Sequence, residues 1–151
     1  MMAISYTDVR DQRQWRAATG LTQAQFTTLV DNFAATYEDF LGETINQHQA
    51  GSSGTAPSTF TTYADLVFFL LYSIKSGLTY DLIGLSFGLD RANAFRNQTF
   101  GLRILQMTLQ RSGHMPKRFY ESLEEFHQQM EEHETILLDG TEQRRQRPGN
   151  E

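Results

Sequence analysis

The sequence predicts an all-α fold, a helical bundle with a helix-turn-helix, followed by one short strand near the C-terminus. Two observations predict the helices. Apolar residues recur every three or four positions in several segments, and these segments begin after Thr or Asp and end at Gly. The third observation predicts the strand: the apolar run 136–138 is too short for a helix.

The first 45 residues are expected to form a helical hairpin. The first helix is predicted over 8–18 with Trp15 as its apolar anchor, and the second over 22–41 with Thr22 as its N-cap. Residues 46–59 are uncharged and rich in Gly, Ser and Thr, which is typical of a flexible linker.

Residues 60–134 are expected to form the helix-turn-helix domain with a trailing acidic helix. The segment 62–75 is apolar on nearly all sides and is predicted to lie at the centre of the bundle. Thr79 is a candidate N-cap for a short helix that ends at Gly88, and Asp90 is a candidate N-cap for a helix over 91–110. This arrangement is that of a motif whose second helix enters the major groove of DNA.

The second helix of this pair supplies the candidate DNA-binding residues Arg91, Asn93, Arg96, Asn97 and Arg103. Arg96 and Arg103 share a helix face and could follow a phosphate backbone, while asparagine side chains can read adenine edges. Its apolar residues predict two faces. We expect one to point inward and the other to pack on the N-terminal hairpin or on a partner chain. The first face comprises Ala94, Phe95, Leu102, Leu105 and Leu109, and the second Phe100, Ile104 and Met107.

Charge is unevenly distributed in a chain whose formal net charge is −5. Residues 91–118 contain six basic and no acidic residues, whereas 121–142 contain eight acidic residues and no Lys or Arg. A local basic face is what phosphate contacts need. The alternative is that the acidic helix predicted over 122–132, with Ser122 and Glu125 as a capping box, neutralises the basic one.

Composition excludes several classes of site. The chain has no Cys, which excludes disulfides, thiolate zinc sites and a cysteine nucleophile. The N-terminal residues lack the pattern of a secretory signal, and the apolar run 66–72 is too short to span a bilayer. We therefore expect a cytoplasmic protein with no membrane partner.

Asp139 follows the predicted strand directly, with Gly140 after it. A carboxylate at the end of an apolar strand is where α/β nucleases place a metal ligand. An Asp-Gly pair at that point is also a common turn.

Three segments together resemble the transposases of bacterial insertion sequences in the DDE superfamily. LLDGTEQRRQRP, at 137–148, resembles the start of their catalytic domain, where an apolar strand leads into an acidic motif. YADLVFFLLYSIKSGLTYDLIGLSFGL, at 63–89, is similar to the helix-turn-helix that precedes that domain. LTQAQFTTLVDNF, at 21–33, looks like the family's opening helix.

The resemblance implies the DNA-binding N-terminal part of a transposase, with double-stranded DNA at the element ends as its partner. Asp139 would be the first acidic residue of the catalytic triad, and residues 135–151 the start of an incomplete ribonuclease-H-like domain. The complete enzyme uses Mg²⁺, which needs several ligands. One aspartate cannot build that site, so we expect this chain to be inactive alone, as a truncated or split reading frame. A separately encoded catalytic half or a homodimer partner could complete it.

Two other interpretations fit the same residues. The chain could be a stand-alone helix-turn-helix regulator, with Asp139 as a turn residue. It could also be a helical interaction module that binds no DNA, which its acidic net charge favours.

Overall fold

Every regular element that the structure describes is helical, which confirms the predicted all-α bundle. The structure is a computed structural model that describes residues 3–50, 59–115 and 119–131. The predicted strand over 135–138 and the central linker residues 51–58 lie outside this part. A 3-10 turn at Tyr6–Asp8 precedes the α-helices. These are α1 Gln12–Thr19, α2 Gln23–Leu41, α3 Ile45–Ala50, α4 Tyr63–Ser76, α5 Tyr80–Phe87, α6 Arg91–Arg111 and α7 Leu123–Glu131.

The chain divides into two compact units, residues 1–115 and 116–151. This division differs from the predicted boundaries. The N-terminal hairpin belongs to the same unit as α4, α5 and α6, because α1 packs against α4 and α2 packs against both α4 and α6.

Polar caps fix the starts of the helices where the sequence predicts them. The side chains of Thr22, Thr62 and Asp90 accept hydrogen bonds from the backbone N–H three residues later, at 3.3, 3.1 and 2.7 Å. Each bond satisfies one of the donors that a helix N-terminus leaves without a partner. In the second unit, Ser122 Oγ caps α7 in the same way at 3.1 Å. The Glu125 carboxylate there accepts from the Glu121 N–H, where a capping box would use that of Ser122.

The first helix begins later than predicted. Asp8 belongs to the 3-10 turn and accepts a hydrogen bond from the Ser5 N–H at 2.8 Å. Asp11 is the N-cap of α1 and accepts from the Gln14 N–H at 2.8 Å. Two caps close together in the sequence therefore produce a separate turn and helix.

The predicted linker begins inside a helix, because residues 46–50 belong to α3. Thr44 and Gln47 form a capping box for it, with N···O distances of 2.9 and 3.2 Å. The Tyr63 hydroxyl of α4 accepts from the Ile45 N–H and donates to Glu38 of α2. Burial raises the pKa of Tyr63 to about 12, so the hydroxyl keeps the proton that it donates to Glu38 to a higher pH than an exposed tyrosine would.

Helix α4 is the centre of the first unit, as its apolar sequence predicts. Residues 66–70 are all buried, and α4 packs against α1, α2 and α6. Around Phe87, at the end of α5, lie four other aromatic rings with centroid distances of 5.0–6.3 Å, namely those of Phe60, Phe68, Phe69 and Tyr72. This aromatic cluster fixes α5 against α4.

The buried face of α6 differs from the predicted one. Ala94 and Leu105 are buried as expected, and Phe100 packs edge-on against Tyr37 of the hairpin, but Phe95 is 50% exposed. The buried residues are Ala94, Asn97, Gly101, Ile104, Leu105 and Thr108. Helix α6 packs against α2, α4 and α5 on this side, with Gly101 against Leu70 of α4, and Phe95 lies on the opposite side of the helix.

Candidate nucleic-acid interface

Helices α5 and α6 are consecutive and are joined by the short connection 88–90. Gly88 has φ +68°, a left-handed conformation that favours glycine and turns the chain out of α5. The Leu89 N–H donates to the Gly84 carbonyl oxygen at 2.8 Å. Gly84 is buried, and a Cβ atom there would collide with the Leu89 carbonyl oxygen. The absence of a side chain at Gly84 therefore allows the connection to pack on α5.

One face of α6 is exposed along its first three turns. Ala92, Phe95, Thr99 and Arg103 recur at steps of three or four, Arg96 lies four residues after Ala92, and all five are exposed. We call these five residues the α6 outer row. They lie opposite the buried residues of the same helix, so the core orients the row toward solvent.

The arginines of the outer row have no acidic partner. Arg96 donates from Nε to the Ala92 carbonyl oxygen at 3.3 Å, a contact within its own helix. Within residues 3–50, 59–115 and 119–131, Arg91, Arg96 and Arg103 form no ion pair. Their positive charges are therefore available to an external anion.

Towards the end of α6, basic residues interact with the end of α2. The Arg103 guanidinium lies over the Phe40 ring, 5.3 Å from its centroid. Arg111 donates to the Asp39 carboxylate at 2.6 Å. The Asp39 carboxylate offsets the charge of Arg111, whereas an aromatic face orients Arg103 without neutralising it.

The two predicted asparagines have different surroundings. Asn93 is half-buried, and its Nδ2 donates to the Asp90 carboxylate at 3.0 Å. Asn97 is 2% exposed, and its Nδ2 donates to Thr59 Oγ1 at 3.0 Å and to the Asn93 carbonyl oxygen at 2.8 Å. Asn97 therefore supports the segment before α4 and does not belong to the exposed surface that the sequence predicted for it.

Phe95 is the residue of this surface that the sequence interpretation placed elsewhere. Its ring packs edge-on against Tyr80, with centroids 5.4 Å apart and an interplanar angle of 89°. The signal in the sequence that could have revealed the exposure of Phe95 was its place on the same helix face as Arg96 and Thr99. A large apolar residue between polar neighbours on one helix face shares their exposure.

No family model, curated protein or solved structure matches the chain. The candidate interface therefore rests on the geometry of α5 and α6. No helix in the described ranges is both long enough and apolar enough to cross a membrane.

The predicted metal ligand Asp139 lies outside the described residues. Among the residues that are described, no three His, Asp or Glu side chains lie close enough together to hold a metal ion.

Proposed function

We propose that this chain binds double-stranded DNA through α6, with α5 and α6 acting as a helix-turn-helix. The observation that carries the proposal is the α6 outer row, which exposes Arg96 and Arg103 on one side of a helix with no acidic partner among the residues that the structure describes. A helix with such a face can enter the major groove, which is about 12 Å wide. The core on the opposite side of α6 would hold it in place.

The spacing of the arginines suits a DNA backbone. Arg96 and Arg103 are seven residues apart, which corresponds to about 10 Å along the helix axis. That length spans roughly three base-pair steps. The guanidinium groups of Arg96 and Arg103 would therefore contact phosphates on either side of the bases that face Thr99, whereas Ala92 and Phe95 lie between Arg91 and Arg96.

The biological role that we propose is that of the DNA-binding part of a transposase. This part of the proposal rests on the resemblance of three segments to DDE-superfamily transposases, with element ends as the DNA. Asp139 would be the first catalytic carboxylate. A catalytic half or a homodimer partner would supply the rest of the Mg²⁺ site, and the protein would act in the bacterial cytoplasm, at the nucleoid when bound. A stand-alone regulator would use the same α6 surface on another DNA site.

A second candidate function is protein binding, which a different set of side chains favours. Leu82 and Leu85 on α5 and Phe95 on α6 are exposed apolar residues. A helical interaction module would bury such residues against another protein. Its binding would depend little on salt, because apolar burial is not screened, whereas phosphate contacts are lost as salt rises.

The test is DNA binding by the full chain and three single variants, measured by fluorescence anisotropy on duplexes of random sequence from 50 to 300 mM salt. We expect Arg96→Ala and Arg103→Ala each to weaken binding and to reduce the salt slope by about one unit. Arg13→Ala removes an exposed charge from α1 and serves as the matched control, with affinity unchanged. If both α6 variants bind like the wild type at low salt, α6 is not the DNA-binding surface.

A further inference from the structure

We propose that Phe95, together with Ala92 and Thr99, recognises the 5-methyl groups of thymines in the major groove. The proposal rests on the proposed function and names the class of site that α6 would prefer: duplexes with thymines facing its first turns. Arg91 and Arg96 would hold the backbone on either side.

The outer row exposes methyl groups and an aromatic ring on the side of α6 that would face the base edges. Ala92, Phe95 and Thr99 lie within the first three turns of α6 and are all exposed. An open groove of about 440 Å³ is lined by Tyr80, Arg91, Ala92 and Phe95, and most of its surface is apolar. The groove offers a methyl group more than one carbon surface to contact at once.

The Phe95 ring is held in position although it is half exposed. Its edge-on partner, Tyr80, donates its hydroxyl hydrogen to Gln98 Oε1 at 2.6 Å, and Gln98 Nε2 donates to the Ser73 hydroxyl at 3.1 Å. Ser73 is buried and donates to the Leu70 carbonyl oxygen at 2.8 Å. Hydrogen bonds thus connect Tyr80, which packs against the Phe95 ring, to central helix α4. Binding therefore requires little further ordering of the Phe95 ring.

The asparagines of this part of α6 offer little hydrogen-bond readout. The Asn93 amide donates to Asp90, and the Asn97 amide is buried. Apolar contact with the thymine methyl is an established form of base readout, and alanine, the threonine methyl and phenylalanine are the side chains that make it. The exposed side chains between Arg91 and Arg96 are Ala92 and Phe95, and the next exposed side chain along α6 is Thr99.

The positive charges beside the groove favour DNA over an apolar protein surface as the partner that occupies it. Arg91 and Arg96 flank Ala92 and Phe95 directly in the sequence and have no ion-pair partner among the described residues. A protein partner that buried Phe95 would also have to desolvate or neutralise both cations. The DNA backbone provides anions beside every base pair, so it satisfies the arginines and the apolar groove together.

The experiment exploits uracil, which differs from thymine only by lacking the methyl group. Full-length protein selects sites from a pool of 20-bp randomised duplexes, and the selected duplex is then synthesised with dU in place of dT at each position in turn. We expect one or two of these substitutions to weaken binding roughly fourfold each, the effect of burying one methyl group. Phe95→Ala should lose the preference for dT at the position that Phe95 contacts and keep any preference that Ala92 or Thr99 supplies, and Phe95→Leu should keep part of the difference at that position.

Leu85→Ala is the matched control, because it removes an apolar side chain that is 58% exposed on α5. This variant should keep the full preference for dT. Equal binding of the dT and dU duplexes by the wild type would overturn the methyl readout and leave DNA binding by α6 standing. No saturable duplex binding at low salt would overturn both proposals. The comparison of dT with dU needs no variant, so its result does not depend on how a substitution folds.

Discussion

Arg96 and Asn97 are neighbours in the chain but have opposite environments on α6. Arg96 is exposed, whereas Asn97 is 2% exposed and donates both to Thr59 and to its own helix. Thr59 is the first described residue after position 50, so this bond fixes the entry to central helix α4. Substitutions at these two positions should therefore affect different properties, DNA binding at one and folding at the other.

We predict that Asn97→Ala lowers the free energy of unfolding by about 1–3 kcal/mol, because it removes a buried donor and leaves Thr59 Oγ1 without its partner. Urea denaturation measures the change. Asn93→Ala, which removes a half-buried amide bonded to Asp90, is the control and should cost less. The sequences selected from the randomised pool should be the same for Asn97→Ala and the wild type. A change in the selected bases would mean that Asn97 contacts DNA.

The sequence predicts the length of α6 better than it predicts which side faces the core. Apolar periodicity assigned Phe95 to the buried face, but polar Asn97 and Thr108 are buried instead. Both satisfy their donors within the helix, Thr108 by donating to the Ile104 carbonyl oxygen at 2.8 Å. A polar side chain that bonds to its own backbone can be buried at little cost, and periodicity cannot detect this.

At the scale of elements, the predictable features are those that depend on near neighbours in the chain. The caps Thr22, Thr79 and Asp90 lie where the sequence places them, because a cap bonds to the N–H two or three residues later. Helix α3 was missed because it starts in a polar segment. Its support comes from Tyr63, 18 residues away from Ile45 in sequence. The Thr44–Gln47 capping box is a local signal for this helix, whereas the contact with Tyr63 leaves no local pattern.

The junction between α5 and α6 gives a prediction that compares two helical glycines. Gly84→Ala should lower the free energy of unfolding by roughly 1–3 kcal/mol, because the new Cβ meets the backbone oxygen of Leu89, which cannot move without shifting α6. Gly101→Ala should cost less, since its Cβ meets the end of the Leu70 side chain, which can rotate. The midpoints of urea denaturation compare the two.

Both substitutions gain a similar helix propensity, so the difference between them compares a clash with backbone at the junction with a clash with a side chain. Equal stability of Gly84→Ala and the wild type would mean that the connection 88–90 does not pack on α5 as closely as the structure has it. If the proposed function holds, Gly84→Ala should also weaken DNA binding, because a shifted connection reorients the outer row.

At the scale of the whole molecule, the acidic net charge comes mainly from the second unit. Residues 1–115 carry eight Lys and Arg against nine Asp and Glu, which gives a formal charge of −1. Residues 116–151 carry five against nine, which gives −4. The net charge of −5 is therefore a poor guide to the unit that contains α6. The buried core residues of the described chain also lie within the first unit.

This distribution predicts the behaviour of a fragment that ends at Met115. The fragment should fold with a melting temperature within a few degrees of that of the full chain, because it retains the core. It should bind duplex DNA roughly two- to tenfold more tightly at low salt, since the acidic residues that repel phosphates are removed. The difference should shrink as salt rises, because the Debye length falls to about 8 Å at physiological ionic strength.

The double variant Glu124→Gln, Glu131→Gln of the full chain neutralises two exposed carboxylates of α7, and it should bind with intermediate affinity. A folded fragment that binds DNA more weakly than the full chain would instead place part of the DNA contact in residues 116–151, where Lys117 and Arg118 would be the first to test.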